Sequence, residues 1–205
     1  MAMILVGGGG HCRACLDVIA GTSFTISGII DSQPVATDMP GRLGDDSWLE
    51  GDAANGFNYL ITVGQTAVSL QRRTIFERLL SRGLDFSTVI STFATVSEAA
   101  AIGKGSIAMH RTVINRGASV GRNCIINTGA IIEHDAYIAD HCHVSTGAII
   151  NGGAQISEGC MIGSGAIILQ GIKIAPNVMV GAGAVVTQDI QAAGTWVGVP
   201  ARMVL

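Results

Sequence analysis

The stretch "GAIIEHDAYIADHCHVSTGAII" (residues 129–150) repeats itself every six residues: Ile132, Ile138, Val144 and Ile150 are aliphatic, while Ala130, Ala136, Cys142 and Ala148 are small. A helix has a period of 3.6 residues and a strand a period of two, so neither explains the pattern. Followed in both directions, the aliphatic series runs in steps of six from Val96 to Val186, and 15 of its 16 members are Ile or Val, Ala108 being the exception. The small series runs beside it, four positions on, from Ala100 to Ile190.

An uninterrupted hexapeptide repeat indicates a parallel β-helix, in which each hexad is a short strand plus a turn and stacked coils bury one another's apolar side. Three hexads per triangular coil would place side chains 18 residues apart in one column, and Cys124, Cys142 and Cys160 have that spacing, which predicts a small internal cysteine ladder. Sixteen hexads predict about five coils, a prism on the order of 25 Å long. Its flat faces would carry few charges, as oligomer contacts do.

Residues 91–205 are thus expected to form an all-β prism, closed by the capping segment "GTWVGVPARMVL". Residues 1–90 have a different pattern. "AMILVG" (2–7), "FTISGIID" (24–31) and "YLITVG" (59–64) are apolar strands, and "GGGGHCRACLDVIAG" (7–21) is a glycine turn opening a helix. A second helix is expected between Val68 and Leu80, with Leu70, Ile75, Phe76, Leu79 and Leu80 on its apolar side. Alternating strands and helices make this a small α/β, Rossmann-like unit of the nucleotide-binding type.

Composition narrows the function. The 205 residues are 48% hydrophobic and only 13% charged, with 28 glycines, which suits a turn-rich repeat and a large oligomeric contact. Net charge is −3 and the Lys and Arg residues are scattered, so no basic stripe tracks a nucleic-acid backbone. The opening "MAMILVGGGG" lacks the basic region of a signal peptide, and no apolar run approaches the roughly 18 residues of a membrane span. Five cysteines without a disulfide framework fit a reducing compartment, so a cytoplasmic protein without membrane insertion is expected.

Four segments, "VGGGGH" (6–11), "NTGAIIEHD" (127–135), "HVSTGA" (143–148) and "GVPAR" (198–202), sit on this frame. With the hexads they make the whole chain resemble the PglD/NeuD group of bacterial sugar acetyltransferases, within the left-handed β-helix acyltransferases. The resemblance implies a homotrimer with acetyl-CoA in the groove between two prisms, and a UDP-linked amino sugar held by the N-terminal unit. It implies direct transfer of acetyl to the sugar amine, without metal.

Acetyl transfer from a thioester needs a base for the attacking group and donors for the oxyanion, and histidine titrates near neutrality. By the resemblance His134 is the general base, with Glu133 and Asp135 its acidic neighbours. Residues at a coil corner do not simply alternate, so either acid could hold the second ring nitrogen; the family pattern favours Asp135, where the group has glutamate. His143, half a coil from His134, cannot lie beside it within one prism but could approach a neighbour's His134. The resemblance puts His143, the Gly152 N–H and Arg202 on acetyl-CoA. It puts Asn127, Gly9, Gly10, His11, Asp31, Gly64 and Gln65 on the acceptor.

Other readings compete. Zinc could be held by His134, His141 and His143, as in hexapeptide proteins resembling γ-class carbonic anhydrases, but the N-terminal unit and the surrounding motif speak against it. His110 and His141 are expected on the surface. Cys12-x-x-Cys15 has no second pair and reads as small buried residues in a helix's first turns. Counted from Gly7, the third glycine of a dinucleotide fingerprint falls at Cys12, so NAD is not expected. Trp196 reads as cap packing. O-acetylation of a sialic-acid-like sugar and a catalytically silent scaffold that senses a nucleotide sugar are the remaining alternatives.

Overall fold

The structure is a computed structural model that describes residues 2–204. Strands β1 (Ala2–Val6), β2 (Thr25–Ile30), β3 (Arg42–Gly44), β4 (Asn58–Ile61) and β5 (Asp85–Phe86) pair in parallel, in the order β3-β2-β1-β4-β5. The chain crosses from one side of β1 to the other between β3 and β4. In parallel α/β sheets this reversal opens a crevice at the strands' carboxyl ends, where ligands bind.

Helix α1 (Gly10–Ala20) buries Cys12, Cys15, Val18 and Ile19. These pack with Met3, Leu5 and Leu60 of the sheet and with Val89, Ile107, Met109 and Ile125 further along the chain. The helix is therefore sandwiched between sheet and prism, and the two regions share a core. On the sheet's other side, helix α2 (Gln71–Ser81) packs Phe76 and Leu79 with Ile4, Val6, Tyr59 and Phe86. No helix among the described residues is long and apolar enough to cross a membrane.

Two expectations for α2 fail. It begins at Gln71, three residues later than expected, and Leu70 and Leu80 are 64% and 43% exposed. The residue it buries instead is Arg72, at 3%. Apolar periodicity assumed one apolar neighbour, but α2 also lies against a polar prism corner, and that contact sets the helix's rotation.

The prism begins at Val89–Ile90, from which strands recur once per hexad. Among the described residues its faces are parallel sheets of eight, six and five strands; only the last strand, Arg202–Val204, runs antiparallel. The first face includes Ile125–Ile126, His143–Val144 and Met161–Ile162, the second Ile131–Ile132 and Ile149–Ile150, and the third Tyr137–Ile138. Pairing joins residues 18 apart, such as Ile132 with Ile150. Within the aliphatic series, Ile114, Ile126, Ile132, Ile138, Val144, Ile150 and Ile156 all face the core, and Cys124, Cys142 and Cys160 form the expected ladder, each at most 1% exposed. Each thiol donates to a carbonyl 15 residues on, at 3.1 Å.

Most corners carry a left-handed residue, and these stack in columns, usually as glycine: Gly117, Gly153 and Gly171 in one, Gly129, Gly147 and Gly165 in another. That accounts for much of the glycine content. A different constraint acts at Gly163, where an added Cβ would meet the next coil's backbone at Ala182 N (2.6 Å) and Val180 O (2.7 Å). Those atoms belong to the sheet and cannot turn aside. Gly163→Ala is expected to lower unfolding stability by at least about 2 kcal/mol, read from the urea midpoint at unchanged slope.

Candidate active site

At the corner between the second and third faces, Ile132 points into the core and Glu133, His134 and Asp135 form the turn. Asp135 has φ 60° in a column otherwise made of glycine, a conformation that costs an L-residue roughly 1 kcal/mol. The twist brings its Oδ2 to 3.0 Å from His134 Nδ1. Glu133 is engaged elsewhere, its Oε2 accepting from Asn115 Nδ2 at 2.8 Å. Of the two flanking acids, Asp135 is thus the one joined to the ring. A neutral imidazole with its proton on Nδ1 presents a bare Nε2. One coil up, Gly152 lies against that nitrogen: a Cβ there would come within 2.6 Å of it.

A cleft of about 480 Å³ opens where the Gly64–Thr66 loop meets the first face, lined by His11, Gly64, Gln65, Asn127, His143 and Met161, among others. His143 is 5% exposed. Its Nδ1 lies 2.9 Å from the Gln65 carbonyl oxygen, which can only accept, so Nδ1 carries the proton. Nε2 then accepts from Asn127 Nδ2 at 3.1 Å. Burial, opposed by the Gln65 bond and helped by the Arg72 charge, drives the His143 pKa down to about 4. His11 is likewise lowered to about 4 by burial, then Arg72, then His143. The cleft therefore presents two neutral rings. Gln65 is 6% exposed and its Nε2 has no partner among the described residues, a buried donor left unpaired.

The depressed His143 pKa has a consequence for stability. Between its ordinary value of 6.5 and about 4 the unfolded chain binds a proton that the folded one does not, so stability falls as pH drops through that window. Unfolding free energies at pH 7 and pH 5 should differ less for His143→Gln than for the wild type.

The remaining candidates are spread more widely. Gly9 and Gly10 border open space at the start of α1, where helix N–H groups are unpaired. Both carboxylate oxygens of Asp31 accept from backbone N–H groups, Gly8 at 2.6 Å and Gln33 at 2.8 Å, so Asp31 holds the glycine turn to the end of β2. Arg202 lines a recess of about 230 Å³ with Thr187, Asp189 and Trp196, whose indole N–H is buried without a partner among the described residues. Trp196 does pack on the prism core, and it also opens onto this recess. Thr187 lies three coils above Glu133, on the His134 corner.

One chain therefore holds two separate groups. His134, Asp135, Gly152 and the Arg202 recess follow one corner, whereas the cleft follows the corner between the first and second faces. His143 belongs with the cleft, apart from Gly152 and Arg202. Within the chain the three histidines weighed for zinc do not converge, and the described residues hold no group of three His, Cys, Asp or Glu placed for a metal.

His141, expected on the surface, is 8% exposed: its Nδ1 accepts from Asn123 Nδ2 at 2.9 Å and its ring meets Phe76 edge-on. Asn123 in turn accepts from Arg72, and hexad reading gave none of these three residues a role. A signal was present. Asn123 and His141 occupy left-handed corners that Gly105 and Gly159 fill in neighbouring coils, and a non-glycine there needs a local reason.

The PglD N-terminal domain family matches residues 2–79, and two hexapeptide families match the prism: the bacterial transferase hexapeptide (six repeats) over 153–188 and the hexapeptide repeat of succinyl-transferase over 99–134. The acetyltransferase domain of PglB from Neisseria gonorrhoeae FA1090 is similar over 99% of both chains, at 30% identity and a TM-score of 0.91. The chain belongs to the PglD-type hexapeptide acyltransferases. PerB from Caulobacter crescentus, solved with CoA and GDP-perosamine, is similar to this acyltransferase over 99% of its chain and 97% of PerB's, at 28% identity and a TM-score of 0.91. WeeI from Acinetobacter baumannii AYE shares the fold at 24% identity and a TM-score of 0.85, each chain covered in full. No curated protein sequence gives a significant match.

Proposed function

We propose that this acyltransferase moves acetyl from acetyl-CoA to the amine of a nucleotide-linked amino sugar, a UDP-linked 4-amino-4,6-dideoxyhexose used in bacterial glycan synthesis. The observation that carries the reading is the His134–Asp135 pair with Nε2 set against Gly152. The amine attacks the thioester carbonyl as His134 Nε2 takes its proton. Asp135 stabilises the resulting imidazolium and the Gly152 N–H donates to the oxyanion. Collapse expels the CoA thiolate, and the imidazolium returns the proton to it. All five cysteines are buried, which supports direct transfer without an acyl-thioenzyme.

Acetyl-CoA would run up the His134 corner to the recess holding Trp196 and Arg202. The acceptor would occupy the cleft, its diphosphate near the glycine turn, where N–H groups at the start of α1 face solvent. Because base and cleft follow different corners, the site closes only when a neighbouring chain's cleft meets this chain's His134. A homotrimer satisfies that requirement, and a cytoplasmic setting supplies acetyl-CoA.

A GDP-linked acceptor is the second reading, favoured by the GDP-perosamine bound to the Caulobacter relative. Thiol release from acetyl-CoA should be measured with UDP- and GDP-linked 4-amino sugars and with sialic acids. Turnover with a nucleotide-linked amine supports the proposal and identifies the nucleotide. Turnover with sialic acid alone replaces it with O-acetylation, and no turnover with any acceptor favours a silent scaffold.

A further inference from the structure

Arg72 projects from α2 into the junction between the α/β unit and the prism. One terminal nitrogen donates to the carbonyls of Ile61 and Val63, both at 2.7 Å, at the end of β4 and the start of the loop that carries Gly64 and Gln65 into the cleft. The other donates to Asn123 Oδ1 at 2.9 Å, on the prism. A single planar fork thus fixes the cleft loop against the prism.

Every oxygen that Arg72 meets is neutral. Its neighbour Arg73 pairs with Glu77 and Glu158, but Arg72 has no carboxylate within ion-pair distance among the described residues. Burial lowers its pKa only to about 10, so it stays charged at neutral pH. Burying a guanidinium without a countercharge is expensive, and an apolar residue could fill the space at less cost. Among the described residues neither Lys nor Arg lines the cleft, and its two histidines are neutral, yet the Arg72 charge is felt at both rings.

We propose that Arg72 is a specificity-determining positioning residue: behind the cleft, its uncompensated charge selects an acceptor carrying a diphosphate, while its fork holds the Gly64–Gln65 loop in register with the prism. This rests on the nucleotide-sugar reading of the acceptor. The substrate's diphosphate supplies the negative charge that the protein omits.

The test uses Asn123, which touches Arg72 but does not line the cleft. Asn123→Asp is nearly isosteric, tolerates the local φ of 54°, and places a carboxylate on the guanidinium; the oxygen that replaces Nδ2 faces His141 Nδ1, which must then carry the proton and donate. Asn123→Gly removes the side chain and leaves the charge uncompensated, while the backbone carbonyl of residue 123, 3.5 Å from the same guanidinium nitrogen, keeps the fork on the prism. Titration calorimetry of the full-length protein with UDP and with GDP should show about tenfold weaker binding in Asn123→Asp for whichever nucleotide the wild type binds. The KM for the nucleotide sugar should rise by the same factor while the KM for acetyl-CoA stays constant, and Asn123→Gly should bind within about twofold of wild type. In Asn123→Asp the His11 and His143 rings, followed by NMR, should also titrate at higher pH, a change that a purely mechanical tether would not produce. Equal weakening in both variants, or none in Asn123→Asp, overturns the proposal alone. A wild-type protein that binds neither nucleotide overturns the acceptor reading with it.

Discussion

His134→Ala is expected to lower kcat by roughly 10²–10⁴-fold while leaving both KM values and the melting temperature close to wild type. The side chain is 59% exposed, and its recorded partner is the carboxylate of Asp135, itself 73% exposed. Removing the ring opens no cavity and leaves no buried group unpaired, so a change in rate would report chemistry. A sugar amine can attack a thioester only as the free base, and the proton it sheds needs an acceptor in place as the bond forms. In the proposed mechanism Nε2 is that acceptor, because Asp135 occupies Nδ1. Asp135→Asn should lose less, on the order of tenfold, since the amide can still orient the ring but cannot stabilise its charge. A His134→Ala enzyme with unchanged kcat would remove the base from the mechanism.

The second large effect is expected at Gly152. In Gly152→Ala the new Cβ would stand 2.6 Å from Nε2 and 2.7 Å from Cε1 of His134. The ring is exposed and can swing aside, so the fold should lose less than about 1 kcal/mol. Swinging aside separates the ring from Asp135 and from the thioester, and a displacement of about 1 Å can cost roughly 100-fold in rate. Gly152→Ala is therefore expected to be stable and nearly inactive and still to bind acetyl-CoA. An active Gly152→Ala enzyme would mean that Nε2 does not work from this position. The contrast with Gly163 is instructive: there the clash is with backbone, and stability absorbs the effect.

The prism was readable because its core obeys one rule for 16 hexads, and a residue such as Ile150 could be placed inside from its number alone. The α/β unit was readable in outline from three apolar strands, but short β3, with only three residues, gave no period to detect. Corners were harder. Alternation stops there, so the residues alone leave both Glu133 and Asp135 open and only the family resemblance favours Asp135; the left-handed turn at Asp135 and the Asn115–Glu133 bond separate them. The junction between the two regions was not legible at all. Arg72 drew no reading and His141 is expected on the surface, because each is buried by an element distant in sequence. Exposed Leu70 is the counterpart of that error.

In the proposed assembly one chain supplies the base and another the acceptor cleft. Mixing His134→Ala and His143→Ala chains, each nearly inactive alone, and reassembling them tests this most directly. If the sites lie between chains, about a quarter of them in an equal mixture regain an intact His134 facing an intact cleft, and activity should return to about that share of wild type. A mixture no more active than its components, or a protein that remains monomeric, would contradict the account.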